Sequence, residues 1–274
     1  MKPFVKWMGG KRRELKYISH FIPSNIKTIA EPFAGGAAVS FNLEIQSYLN
    51  DLNERVINIY RIIQNRDTFD ILFNEIQKLK LLNKNELGEV YYDARNYINQ
   101  HTISENEYEY ALRFLIVRQQ CFSGMERYNS KKEFNVPWGR YKSFSCNLTE
   151  QHHHFLSRCI LSSTDVCDHI DTLSSDTFLF LDPPYLDRAG YINQDGGYDL
   201  HQRMLNKLKS VNNPFLIIHS EHEFYLEQYK DFHITKIPFK YAQQFNGGNY
   251  DSNVTHLYIT NYEIGTVLEL SIIT

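Results

Sequence analysis

Asp182, Pro183, Pro184 and Tyr185 form a short run that suits chemistry on the amino group of a flat ring. The two prolines restrict the backbone, so the Asp182 carboxylate and the Pro183 carbonyl keep a fixed relative geometry. This pair of acceptors suits an amino group that donates two hydrogens, and the Tyr185 ring can stack on a flat base. A nucleic-acid base that has left its helix needs such contacts. The alternative is a rigid turn that only ends the apolar strand FLFL before it.

A second candidate site is the glycine turn in EPFAGG, residues 31–36, between a predicted strand and a predicted helix start. Backbone approaches nucleotide-like ligands at such turns. Two glycines are also common in plain turns, and the GxGxxG spacing is absent. The next strand ends in NDLN, where the acid Asp51 is placed to hold ribose hydroxyls. Asp51 or Asn53 is equally suited to cap the following helix, and the two functions are compatible.

Short apolar runs predict the strands that position these residues, and helical patterns lie between them. The alternation predicts an α/β fold with buried, mostly parallel strands. The predicted strands lie in residues 26–33, 46–53, 158–165, 177–184, 214–221, 232–239 and 255–262.

The predicted sheet is divided by a long insertion. Residues 1–55 and 147–274 are expected to form the catalytic domain. Residues 56–146 are expected to form an inserted, mainly helical domain that ends in a loop or hairpin at 122–145. This loop region is rich in basic and aromatic residues.

Composition excludes some classes of protein. The net charge of −3 argues against a uniformly basic nucleic-acid binder but not against a local basic face. The chain has no apolar run of membrane-spanning length, and its first residues do not resemble a secretory signal. The four cysteines form no CxxC pair and are expected to be reduced thiols. We therefore expect a cytoplasmic protein.

Five segments in a fixed order resemble the Dam-type adenine-N6 DNA methyltransferases, with the motif order of their alpha group. These segments are FVKWMGGKR, EPFAGG, NDLN, RYNSKKEFNVPWGRYK and LDPPY. The resemblance covers essentially the whole chain. It implies a Rossmann-like S-adenosylmethionine-dependent methyltransferase fold, with a mostly parallel seven-stranded sheet and an inserted helical target-recognition domain.

The resemblance also implies a cofactor site for S-adenosylmethionine, with S-adenosylhomocysteine as product and no metal. Glycines 35 and 36 would lie under the methionine part, Asp51 would hold the ribose, and Asp165 would contact the adenine end. The implied cofactor residues are Trp7, Lys11, Phe33, Gly35, Gly36, Asp51, Asp165 and Asp182. Asp182, Pro183, Pro184 and Tyr185 would hold the target adenine.

A DNA-contacting surface is implied in the inserted segment. Phe122, Ser123, Met125 and Arg127 match positions that touch or enter DNA in relatives, and Lys11 is expected near both DNA and cofactor. Core packing is the alternative for Phe122 and Met125. Phosphate contacts are expected from the basic residues Arg118, Lys131, Lys132, Arg140 and Lys142.

The implied function is methyl transfer to a flipped adenine in a short site of double-stranded DNA. GATC is the leading target, but relatives that methylate GATC often have Asn-Gly where this chain has Ser123-Gly124, so a related site is nearly as favoured. A monomer is expected, associated with the nucleoid through DNA. A restriction-modification partner of an endonuclease and an orphan or phage methylase would look alike. The rivals are an inactive DNA-binding module and an enzyme acting on RNA adenine or a glutamine amide.

Two further segments lie near the predicted site. Residues 187–199 are glycine-rich and polar, and they predict a mobile loop that closes over DNA or cofactor. His219, Glu221 and His222 follow a predicted strand, and we assign them no catalytic role.

Overall fold

The computed structural model describes residues 1–186, 197–240 and 253–264. Within these residues, seven strands form one sheet in the order β3-β2-β1-β4-β5-β7-β6. The first five strands in this order are parallel to one another, and β7 runs antiparallel to both β5 and β6. The strands are β1 (Thr28–Glu31), β2 (Gln46–Asn50), β3 (Ile160–Ser162), β4 (Phe178–Leu181), β5 (Phe215–Ser220), β6 (His233–Lys240) and β7 (Asn253–Thr260). Each overlaps a run that the sequence predicts to be a strand, with β6 ending one residue later and β7 beginning two residues earlier than predicted. The sheet is the mostly parallel one that the resemblance implies.

Helices connect the strands and also form the inserted segment. Within the described part of the chain they are α1 (Leu15–Phe21), α2 (Ala38–Leu43), α3 (Glu54–Gln64), α4 (Arg66–Leu81), α5 (Lys84–Gln100), α6 (Glu107–Gln120), α7 (Glu150–Leu156), α8 (Val166–Asp171), α9 (Tyr198–Ser210) and α10 (Glu223–Gln228). None of them is long and apolar enough to cross a membrane.

The sheet is covered on both faces because alternate strand residues point to opposite sides. In β4, Phe178 and Phe180 pack on α1, whereas Leu179 and Leu181 pack on α8, α9 and α10. Covering both faces leaves the carboxyl ends of the parallel strands as the open edge, where such folds bind ligands.

The helical segment shares a core with the catalytic segment. Helix α3 begins at Glu54, and its buried residues Val56 and Tyr60 belong to one apolar cluster with Phe4, Phe41 and Leu49. Helix α6 lies against α3 and α5. The division at 56 and 146 stays a prediction, but the two parts pack through continuous apolar contacts.

The segment after α6 has the irregular form expected of it. Cys121 to Gly124 form a tight turn, and isolated antiparallel bridges join Cys121 to Trp138 and Tyr128 to Phe134. The predicted closing loop at 187–199 lies outside the described residues, except for its last three, where α9 begins.

Candidate active site

A cavity of about 580 Å³ opens at the carboxyl ends of β1, β2 and β4. The structure brings together there nearly all the residues that the sequence assigns to cofactor and base. They are Trp7, Lys11, Phe33, Gly35, Gly36, Asp51, Asp182, Pro183, Pro184 and Tyr185. Since β1, β2 and β4 are adjacent and parallel, the segments that follow them must meet at one edge.

The glycine turn is built around a close contact with an aromatic ring. Gly35 has φ of +44°, and a Cβ added there would lie 2.5 Å from Nε1 of Trp7. Gly36 has ordinary backbone geometry, and an added Cβ would meet Trp7 at 3.4 Å. The hydroxyl of Tyr60 donates to the Gly35 carbonyl at 2.5 Å and so fixes the turn from α3. Of these two glycines, Gly35 is the one that both the lack of room for a Cβ atom and the positive φ require.

Asp51 holds the same turn through its side chain. Its carboxylate accepts hydrogen bonds from the backbone N–H groups of Gly35 and Asn53, at 2.8 and 2.9 Å. Asn53, not Asp51, caps α3 by accepting from Arg55 N–H. Burial raises the pKa of Asp51 to about 6, against the lowering effect of the two N–H donors. The carboxylate thus lines the cavity with its orientation fixed.

A further acid in this cavity is Glu31, the last residue of β1, which the sequence analysis missed. It is buried, and it accepts a hydrogen bond from Ser40 N–H at 2.6 Å. Burial raises the pKa of Glu31 to about 7, and the nearby Asp182 raises it further against the lowering effect of Ser40. The rule that selects Asp51, an acid at the end of a parallel strand, applies equally to Glu31.

Asp182 is paired with Lys11. The Lys11 ammonium lies 2.6 Å from one carboxylate oxygen and donates to the other at 2.7 Å, while the lysine side chain is only 4% exposed. Burial raises the pKa of Asp182, and the charge and hydrogen bond of Lys11 oppose that increase. The carboxylate therefore already binds an N–H donor in the cavity.

Tyr185 lies next to two other aromatic rings. Its ring is 5.0 Å from that of His219 and 6.2 Å from that of His256, in edge-to-face arrangements. The Lys11 ammonium lies 5.7 Å from the ring centroid. The ring is partly exposed toward the cavity, as a stacking surface must be.

Asp165 lies outside the main cavity. It caps α8 by accepting from Cys167 N–H, and it pairs with Arg203, whose Nη1 is 3.1 Å from both carboxylate oxygens. Asp165 and Arg203 border a smaller neighbouring cavity that shares Phe33 with the larger one. The contact of Asp165 with the adenine end of a cofactor stays a prediction.

The predicted phosphate contact by Arg118 is wrong. Its side chain is fully buried and donates to the carbonyls of Lys6, Gly124 and Met125 at 3.2, 3.0 and 3.2 Å. The guanidinium also lies 4.7 Å from the Trp7 ring. Arg118 joins the N-terminal segment to the turn after α6 and is not available to DNA.

The other DNA residues predicted in the inserted segment lie at its surface, whereas Lys11, also predicted near DNA, is buried against Asp182. Phe122 is 50% exposed, and Ser123 and Met125 are partly exposed. Met125 also packs on the shared core, as the core alternative requires. Exposed side chains are present at Arg127, Lys131, Lys132, Arg140 and Lys142. Arg127 is held by Asn135, which accepts from its Nε at 2.8 Å.

Comparison with known proteins identifies the family to which the chain is similar. Residues 7–243 match the family described as D12 class N6 adenine-specific DNA methyltransferase. The Type II methyltransferase M.CviBI of Paramecium bursaria Chlorella virus NC1A is 33% identical over 276 aligned residues, which cover 96% of this chain and 100% of the viral protein. The Type II methyltransferase M1.LlaDCHI of Lactococcus lactis subsp. cremoris is 31% identical over 96% of each chain. The DNA adenine methylase of Serratia marcescens is 32% identical over 67% of each.

The glycine turn yields a matched test. We expect Gly35→Ala to weaken binding of S-adenosylhomocysteine at least tenfold, because the methyl group would collide with Trp7 and the positive φ costs about 1–2 kcal/mol. Gly36→Ala serves as the control and should change the affinity less than threefold. Isothermal titration calorimetry measures both affinities, and equal losses in the two variants would contradict the assignment.

The ion pair predicts a shift in pH dependence. We expect the acidic limb of the pH–kcat profile to move to higher pH in Lys11→Met, because the lost cation no longer lowers the pKa of Asp182. The rate would fall near neutral pH and recover as the pH rises. Lys11→Arg keeps the charge and should keep the limb near its original position. Profiles at saturating DNA and S-adenosylmethionine that coincide for wild type and Lys11→Met would refute this view.

Proposed function

Because the chain belongs to the D12 class of N6 adenine-specific DNA methyltransferases, we propose that it methylates a flipped adenine within a short duplex site, using S-adenosylmethionine. The observation that carries the proposal is one cavity that contains both the glycine turn after β1 and the Asp182–Tyr185 corner after β4. A methyl donor and an amine acceptor must meet in such a space.

The residues of the cavity fit the cofactor. Asp51 offers a carboxylate to ribose hydroxyls, and the turn at Gly35 leaves backbone open where side chains would fill the space. Trp7 and Phe33 offer aromatic surface, and Lys11, Gly36 and Asp182 complete the lining. Bound S-adenosylmethionine would supply an activated methyl group on a sulfonium centre.

The corner after β4 would activate the target amine. The amino nitrogen of adenine is a weak nucleophile because its lone pair is delocalised into the ring. Hydrogen bonds from the amino group to the Asp182 carboxylate and the Pro183 carbonyl would favour tetrahedral nitrogen and stabilise its developing positive charge. Tyr185 would stack on the base and keep the nitrogen in line for direct transfer. The N–C bond would form as the S–C bond of the donor breaks, and the amino proton would leave to the Asp182 carboxylate or to water. The Lys11 ammonium is bound to the Asp182 carboxylate in this structure. It would move aside, or share that carboxylate with the amino group of the adenine.

Target recognition is proposed for the exposed turn after α6. Phe122 suits insertion between bases, and Arg127 has a guanidinium suited to guanine. Ser123 has φ of +53°, a region in which asparagine is more favourable than serine. GATC remains the leading target, with a related adenine site as the next.

The cellular setting is also a proposal. Relatives carry the names Type II methyltransferase and DNA adenine methylase. Pairing with a restriction endonuclease and an orphan role are the two settings that we propose for this chain. We propose a monomer that works in the cytoplasm on the nucleoid.

The function is tested by methylation sequencing. The chain is expressed in a host without DNA methylation, and modified adenine is mapped by long-read sequencing. We expect one modified motif with wild type and none with Asp182→Ala, because the acceptor of the amino group is lost. Asp176→Ala, before β4 at the other end of the strand, should methylate as wild type does. Soluble wild-type protein that leaves adenine unmodified would overturn the proposal.

The basic loop predicts a change in salt dependence. Each phosphate contact contributes a slope of about −0.9 to the plot of log affinity against log salt concentration. We expect the double variant Lys131→Gln/Lys132→Gln to flatten the slope by about 1–2. Lys209→Gln, at the end of α9, should leave it unchanged. Fluorescence anisotropy with a duplex measures the slopes, and identical values for the three proteins would exclude the loop from phosphate binding.

A further inference from the structure

His219 is a buried titratable residue directly behind the Asp182–Tyr185 corner. It belongs to β5 and is 0% exposed. Its Nδ1 lies 2.8 Å from the Ser220 carbonyl oxygen, which can only accept. Nδ1 must therefore carry the proton, and Nε2 of the neutral ring is left as an acceptor.

The acceptor Nε2 faces the backbone that follows the corner. Leu186 N–H donates to it at 3.3 Å. Pro183 and Pro184 supply no backbone N–H, so Tyr185 and Leu186 provide the first donors after Asp182. A side-chain acceptor on Leu186 N–H fixes the peptide that directs the Tyr185 ring. The His219 ring also touches that ring, with centroids 5.0 Å apart.

His219 is itself held rigidly from behind. Its ring packs on Tyr225 with centroids 4.3 Å apart, and the Tyr225 hydroxyl is 2.6 Å from Nδ1 of His201. Tyr225 and His201 are both 0% exposed. Burial lowers the pKa of His219 to about 3, so its Nε2 stays an acceptor at neutral pH.

We propose that His219 is a positioning residue for methyl transfer, which fixes the Tyr185 stacking surface by accepting a hydrogen bond from the Leu186 backbone. This inference rests on the proposed role of the corner in holding the flipped adenine. His219 touches neither substrate nor cofactor in this scheme. A positioning role is compatible with the absence of a catalytic role for His219.

Two substitutions separate the hydrogen bond from the packing. His219→Phe keeps a ring against Tyr225 but removes the acceptor, whereas His219→Gln places an amide oxygen near the position of Nε2. We expect His219→Phe to lower kcat about tenfold or more, because small errors in position are costly in transfer reactions. Its affinity for S-adenosylhomocysteine should stay within twofold of wild type, and His219→Gln should restore most of kcat.

The matched control is His153→Phe. His153 likewise stacks on an aromatic ring, that of Phe69, and bonds to a backbone carbonyl, that of Ile63. It belongs to α7 and does not line the cavity. The His153→Phe variant should have a lower free energy of unfolding and an unchanged kcat. A kcat of His219→Phe equal to that of the control would overturn the inference.

A spectroscopic readout on the wild-type protein covers the case in which His219→Phe does not fold. Long-range ¹H–¹⁵N correlation spectra distinguish the two neutral histidine tautomers, and the signal of His219 is identified by its loss in His219→Gln. We expect the Nδ1–H tautomer at pH 7, and an Nε2–H or protonated ring would refute the inference. Failure of the proposed function is seen separately, as absence of adenine methylation by wild type.

Discussion

The Asp182 carboxylate must carry its charge in a place where solvation is poor, and much of the surrounding structure serves that requirement. Burial raises its pKa, and the ammonium of Lys11 at 2.6 Å counteracts the effect. Lys11 is in turn placed by the N-terminal segment. That segment is held to the inserted helices, because Arg118 donates to the carbonyl of Lys6 and the ammonium of Lys6 donates to that of Gln119. The charge at the corner therefore depends on contacts far along the chain.

The parallel sheet concentrates acids at one edge. Glu31 ends β1, Asp51 follows β2 and Asp182 follows β4, and all three line one cavity. Three ionised carboxylates so close together would repel one another, and burial raises the pKa of Glu31 to about 7 and that of Asp51 to about 6. The charge carried by these acids therefore varies near neutral pH, and basic residues line the same cavity, namely Lys6, Lys11, Arg12 and Arg13.

The sequence predicted most of this arrangement and missed parts that depend on tertiary packing. The strands, the glycine turn and the acids after β2 and β4 are predictable because their signals are local. These signals are short apolar runs between helical patterns, glycine and proline at turns, and acids at strand ends. Arg118 was misassigned because a basic residue near a basic loop gives no sign that it will be buried. Tyr60 and His219 were not assigned roles, since a tyrosine in an amphipathic helix and a histidine at a strand end resemble ordinary packing residues. Their roles arise from partners 25 and 33 residues away.

The shared apolar core has a consequence for how such proteins diversify. Val56 and Tyr60 of the helical segment pack with Phe4, Phe41 and Leu49 of the catalytic segment, so the two parts do not separate as modules. Exchange of residues 56–146 between relatives would remove half of a tightly packed interface, which interiors tolerate poorly. Point changes at the exposed Phe122 and the partly exposed Ser123 leave that interface intact. The packing therefore tolerates change in this small surface turn more readily than exchange of the whole helical segment.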